Sequence, residues 1–124
     1  MSLYTDHILD LYKHPLNHGT LRSASVSYRA YNPLCGDDIT VDLLIEKGKV
    51  NDIRHRGVGC AISQVSASLL TEEVKKKSLK KVMAITPDHV VSMLGIDISP
   101  VRLKCALLGL EAIQKGISQF QTTV

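Results

Sequence analysis

Aromatic residues make up 4% of the 124-residue chain, with no Trp and one Phe. A platform that stacks single-stranded bases is therefore poorly supplied, and the core must be built from Leu, Ile and Val. No stretch approaches the roughly 18 apolar residues of a membrane-spanning helix. The opening Met1-Ser2-Leu3-Tyr4-Thr5-Asp6-His7 lacks a basic stretch followed by an apolar run. The expectation is a soluble, cytoplasmic chain without a membrane partner. Charge of one sign is scarce too: 15 basic and 12 acidic residues leave a net +3, too mild to imply a nucleic-acid partner. The tightest basic run, Lys75-Lys76-Lys77 with Lys80-Lys81, reads as a solvated helix end, with a protein-docking patch as the alternative. Cysteines number three, an odd count that fits a reducing compartment better than a secreted disulfide framework. They include no C-x-x-C pair of the structural-zinc kind, and no G-x-S-x-G, phosphate loop or zinc-deaminase signature occurs.

A chain of this size with 44% hydrophobic residues can bury a genuine core, and one domain over residues 1–124 is expected. Ile8, Leu9, Leu11 and Tyr12 form a short helical pattern that Pro15, Asn17 and Gly19 stop. Tyr28 to Tyr31 reads as extended. Ile39, Val41, Leu43 and Ile45 then alternate with polar residues, as a half-buried strand does. Lys47-Gly48 makes a tight turn into a second strand over Val50 to Val58, hence a hairpin and an antiparallel sheet.

Beyond Cys60 the apolar period changes from two to 3.6, with Ile62, Val65, Leu69 and Leu70 on a helix whose Ser63, Ser66, Ala67 and Ser68 permit close packing. Two short helices follow over Ser78 to Ile85 and Thr86 to Leu94, the second with Thr86 as N-cap and Pro87 at the first helical position. A last helix starts near Ser99-Pro100 with a stripe of Leu103, Ala106, Leu107, Leu110, Ile113 and Ile117. Strands first and helices later indicate an α+β domain with helices over one face of a small sheet.

Each cysteine has a distinctive neighbourhood: Asn32-Pro33-Leu34-Cys35-Gly36-Asp37, Gly57-Val58-Gly59-Cys60-Ala61-Ile62-Ser63 and Arg102-Leu103-Lys104-Cys105. Cys35 and Asp37, at i and i+2, leave the same face of an extended segment. Cys60 stands where a loop enters a helix, whose free N–H groups and dipole favour a thiolate. Cys105 lies more than about 90° from the centre of the last helix's apolar stripe, at about 100° per residue, and is expected to be no core cysteine. Arg102 and Lys104 flank it with positive charge, which favours a nucleophilic thiolate. Three thiolates and a carboxylate suit one tetrahedral ion, yet spacings of 25 and 45 residues leave three core-filling cysteines equally open. The five histidines, His7, His14, His18, His55 and His89, read mainly as surface residues.

Together these three motifs, with Tyr12-Lys13-His14-Pro15-Leu16-Asn17-His18-Gly19 at the start, resemble the IscU/SufU/NifU N-terminal-domain proteins of iron–sulfur cluster assembly. The resemblance runs from about Tyr4 to Gly116. It implies a three-stranded antiparallel sheet with helices on one side. It also implies that Cys35, Asp37, Cys60 and Cys105 bind zinc in a resting form or a transient [2Fe–2S] cluster, with iron delivered to the same residues. The implied partners are a cysteine desulfurase and apo iron–sulfur acceptor proteins. Cys105 is the expected sulfur acceptor, with Lys104 in support. Lys104 stands where IscU scaffolds typically have a histidine, and with Ala61-Ile62-Ser63 it resembles SufU, although the usual SufU insertion between the second and third cysteines is missing. Three roles follow: a non-enzymatic scaffold and sulfur acceptor, a zinc-dependent sulfurtransferase that holds no cluster, or a small zinc-stabilised interaction module.

Overall fold

Alternation along the strands and small residues along two helices account for most of the architecture. The computed structural model describes residues 3–34 and 36–123. The elements are α1 (Leu3–Lys13), β1 (Val26–Asn32), β2 (Asp37–Glu46), β3 (Lys49–Val58), α2 (Ala61–Val74), α3 (Leu79–Met83), α4 (Pro87–Leu94) and α5 (Pro100–Thr123). The strands form one antiparallel sheet in the order β1-β2-β3, as expected for an α+β fold of this kind. Ile39, Val41, Leu43 and Ile45 of β2 are buried on the inner face, where α5 packs on β1 and β2 and α2 packs on β3. Ser78 and Thr86 cap α3 and α4 by accepting from the Lys81 and His89 N–H groups, and Gly95 ends α4 in the left-handed region.

Close contact between α2 and α5 depends on small residues. The buried face of α2 carries Ser63, Ser66, Ala67, Ser68 and Thr71 beside Val65, Leu70 and Val74. Ser66 Oγ donates to the Ala106 carbonyl at 2.6 Å, and a Cβ placed on Gly109 would stand 3.2 Å from Ala67 Cα. Further along α5, a Cβ on Gly116 would meet Leu43 at 3.0 Å and Tyr28 at 3.2 Å. The inner face of α5 therefore includes Cys105, Leu108, Ala112 and the glycines as well as Ala106, Leu110, Ile113 and Ile117. This corrects the helical-wheel expectation: Cys105 is only 4% exposed, while Leu103 and Leu107 are only partly buried. Glycine and alanine do not register as a stripe by hydrophobicity, although they mark where helices approach most closely.

The outer face of the sheet is polar and carries one buried charge. Asp42 is 1% exposed; its carboxylate accepts from Arg56 at 2.7 Å, Ser27 Oγ at 2.6 Å and the Leu21 N–H at 3.0 Å. Burial pushes the Asp42 carboxyl up, but the bonds from Arg56, Ser27 and Leu21 outweigh it and hold it below the usual carboxylate range.

His55 departs from the surface reading, being fully buried on the inner side of β3. Residues 16–19 run along that edge: the His55 N–H donates to Asn17 O at 2.9 Å, the Gly19 N–H donates to His55 O at 3.0 Å, and His55 Nε2 lies 2.9 Å from Leu16 O. The His18 ring meets the His55 ring edge-on, and among the described residues Nδ1 of His55 has no hydrogen-bond partner. A single histidine inside an alternating strand gives no sequence signal for this role. Burial lowers its pKa from 6.5 to about 4, so the folded chain keeps the ring neutral where the unfolded chain protonates it. Stability from this source is complete above pH 6.5, falls as pH drops from 6.5 to 4, and amounts to about 3 kcal/mol at most. Urea midpoints measured from pH 7 to pH 4.5 should fall steadily through that window, and His55→Gln should flatten the slope whatever its effect at pH 7.

Candidate metal centre

The β1–β2 connection sets the first candidate ligand. Asn32 and Asp37 pair across the ladder; the Gly36 N–H donates to Asn32 O at 2.8 Å, and Asn32 Oδ1 accepts from the Leu34 N–H at 3.1 Å. Gly36 sits at φ +73°, which a side chain would strain. Asp37 thus opens β2 with its carboxylate on the inner side and is 2% exposed. The next carboxylate turns the other way: Asp38 pairs with Arg29, whose hydrogen bond holds it below the usual carboxylate range.

The second candidate comes from the β3–α2 junction. Cys60 is the N-cap of α2 in extended backbone, and no side chain caps that end. Its N–H donates instead to Asp37 Oδ1 at 3.0 Å, and its Sγ lies 3.7 Å from Asp37 Oδ2. Ser63, one turn into the helix, donates to Cys60 O at 3.0 Å and has its Oγ 3.9 Å from Cys60 Sγ. Gly59 makes this convergence possible, because a Cβ there would stand 2.4 Å from Ser63 Oγ and 2.9 Å from Asp37 Oδ1.

The third candidate descends from α5. One donor atom each of Asp37, Cys60 and Cys105 lies within 4.8 Å of the others, and among the described residues no other group of three or more His, Cys, Asp or Glu side chains is so gathered. Sulfur ligands at about 2.3 Å around a tetrahedral ion stand roughly 3.5 to 4 Å apart, so a small contraction would let the three share one ion. Two soft sulfurs with one oxygen fit zinc or iron rather than calcium or magnesium. Cys35, the remaining sequence candidate, lies outside the described residues.

These ligands line a cleft of about 420 Å³ with Val58, Val101 and Arg102 at its sides. Val58 and Val101 are 66% and 84% exposed, so the cleft has an apolar rim. Lys104 is not part of it; one step along α5, it lines a neighbouring cavity of about 360 Å³ with Tyr31, Asn32 and Pro33. The cation beside Cys105 in the cleft is Arg102, one turn earlier on the same helix. His7 and His14 are exposed, and neither lines the cleft. Ser63 and the steric role of Gly59 were not legible as site features; the signal for Ser63 was its place three residues beyond an N-cap cysteine.

The profile of the family described as NifU-like N terminal domain matches residues 3–124. The chain is 30% identical to the zinc-dependent sulfurtransferase SufU of Bacillus subtilis, over 95% of its own length and 91% of that protein's. This alignment runs over 135 positions, more than the chain has residues, so SufU carries residues with no counterpart here. The chain is also 28% identical to the iron–sulfur cluster assembly scaffold protein IscU 1 of Archaeoglobus fulgidus, over 95% and 76% of the two lengths. In fold it is similar to the N-terminal part of a nitrogen-fixing NifU-like protein from Brucella abortus, with a TM-score of 0.82, 21% identity and coverage of 98% and 96%.

If the empty space at position 59 is what lets Asp37 and Ser63 close on Cys60, Gly59→Ala should lower zinc affinity about 10- to 100-fold, as loss of ligand support does elsewhere. Competition against a chromophoric chelator reads this directly. Unchanged affinity would remove Gly59 from the site.

Proposed function

This chain belongs to the NifU-like N terminal domain family, and from that premise we propose that it is an iron–sulfur cluster assembly scaffold and sulfur acceptor. The observation that carries the reading is the convergence of Asp37, Cys60 and Cys105 in a cleft open to a partner. Cys35 completes the set as the fourth ligand. In this reading a cysteine desulfurase presents a persulfide at the cleft. The Cys105 thiolate attacks the terminal sulfur, a new S–S bond forms on Cys105, and the old one breaks with its electron pair returning to the desulfurase cysteine. This is thiol exchange and needs no added oxidant. Arg102 is placed to attract the anionic persulfide, with Lys104 acting at most from the neighbouring cavity.

Iron and sulfur are then cargo, held by cysteine sulfurs with one carboxylate. The oxygen donor is the weaker partner for such a cargo, which suits a [2Fe–2S] cluster that must pass to apo acceptor proteins. Zinc bound by the same residues would give a resting form that keeps the thiols from other chemistry. A scaffold of this kind is non-enzymatic and works in the cytoplasm; among the described residues no helix is long and apolar enough to cross a membrane.

A second reading, a zinc-dependent sulfurtransferase that activates the desulfurase without holding a cluster, is favoured by the 30% identity to SufU. Anaerobic reconstitution separates the two. The scaffold reading expects cluster absorption in the visible range; tightly held zinc, no cluster and a stimulated desulfurase would favour the transferase.

Sulfur transfer tests the residue assignment. With labelled persulfide on the desulfurase, Cys105→Ser should lose at least 90% of the label accepted by the wild type, while Cys60→Ser, which removes the more exposed thiol, should keep most of it. Full transfer to Cys105→Ser would refute Cys105 as the acceptor.

A further inference from the structure

Seven of the chain's ten lysines, at positions 47, 49, 75, 76, 77, 80 and 81, belong to two segments that the fold stitches together. The Leu79 N–H donates to Gly48 O and the Val50 N–H donates to Lys77 O, each at 3.0 Å, so the β2–β3 turn lies against the segment between α2 and α3. Acidic side chains at this end are largely engaged. Glu72 pairs with Lys75, Asp52 pairs with Arg54, and both carboxylate oxygens of Glu73 are within 2.8 Å of His89 Nε2. Asp88 is exposed at the start of α4. Among the described residues, Lys47, Lys49, Lys77, Lys80 and Lys81 make no ion pair.

Within this basic end lies a concave feature. A cleft of about 340 Å³ is walled by Lys77, Lys81 and the Glu73–His89 pair, with Ala84 and Ile85 supplying apolar surface over the buried Val82. It stands at the far end of α2 from Cys60. At 1.5 Å per residue, α2 alone separates the two by roughly 20 Å.

We infer that this cleft is a docking site for an acidic segment of a partner protein, one that sets an aliphatic side chain against Ala84 and Ile85 between carboxylates paired to Lys77 and Lys81. Charge complementarity commits the choice. A strand of nucleic acid would find no Phe, Tyr or Trp ring in the cleft to stack on, the His89 imidazole being held by Glu73, and no Arg fork for its phosphates. A bilayer is flat, whereas this surface is concave and has one large exposed apolar side chain nearby, Met83 at 39%. A partner held here would leave the cysteine cleft open, so docking and loading could proceed together. The inference does not rest on the scaffold reading, because it uses none of the ligands.

The test uses an acetylated, amidated nonapeptide of alternating Glu and Leu as the probe, titrated into the whole chain and followed by amide chemical shifts. Expected shifts concentrate between residues 73 and 89, weaken severalfold from 50 to 200 mM salt, and vanish when Gln replaces every Glu in the peptide. Lys77→Gln with Lys81→Gln should weaken binding at least tenfold with an unchanged melting temperature, and should leave zinc affinity untouched. Equal binding by the double variant, or shifts centred on the cysteine cleft, would overturn the assignment. Tighter binding through the same lysines of a 20-nucleotide oligothymidine, or of vesicles containing phosphatidylserine, would overturn it as well.

Discussion

A Cβ at position 109 would stand 3.2 Å from the Cα of Ala67, and that gap fixes how near α5 can lie to α2. Overpacking such a contact costs of the order of 1–3 kcal/mol, but here the geometric consequence matters more. Cys105 is one turn before Gly109, and Cys60 is the N-cap of the helix that carries Ala67. The bond from Ser66 to the Ala106 carbonyl locks the same crossing one residue beyond Cys105. The two sulfurs are therefore brought together by backbone approach between helices rather than by any local cysteine motif. The hydrogen bond from the Cys60 N–H to Asp37 then draws in the start of β2, so the site lies where β2, α2 and α5 meet.

Much of this was legible beforehand, for identifiable reasons. The alternation of Ile39 to Ile45, the Lys47-Gly48 turn and the Thr86-Pro87 cap are local signals, and each element appears where its signal lies. Contact across the core is a different matter. Cys105 was read away from the core because a hydrophobic wheel ignores glycine and alanine, which are the residues that let α5 sink onto its neighbours. His55 was read as a surface residue because its burial is created by residues 16–19, some forty positions away. The motifs and the family resemblance single out Asp37, Cys60 and Cys105, which the fold gathers, while Cys35 lies outside the described residues; the part of Gly59, and Arg102 rather than Lys104 as the cation in the cleft, needed coordinates.

The site's donors divide the labour that a transient carrier requires. Cys105 is held deep, Cys60 is half-buried, and Asp37 is fixed at one oxygen by a backbone N–H while the other faces the sulfurs. With one oxygen held by the Cys60 N–H, the carboxylate keeps a donor beside two sulfurs that a metal ion could share. The apolar rim of Val58 and Val101 and the single cation Arg102 then describe an entrance suited to a protein partner with an anionic sulfur to deliver.

The convergence of sulfurs and a carboxylate on one ion is open to direct measurement. X-ray absorption at the zinc edge of the purified, zinc-loaded protein measures that shell directly. A four-coordinate shell dominated by sulfur is expected, three at about 2.3 Å with one oxygen at about 2.0 Å. A shell of nitrogen and oxygen alone would contradict it.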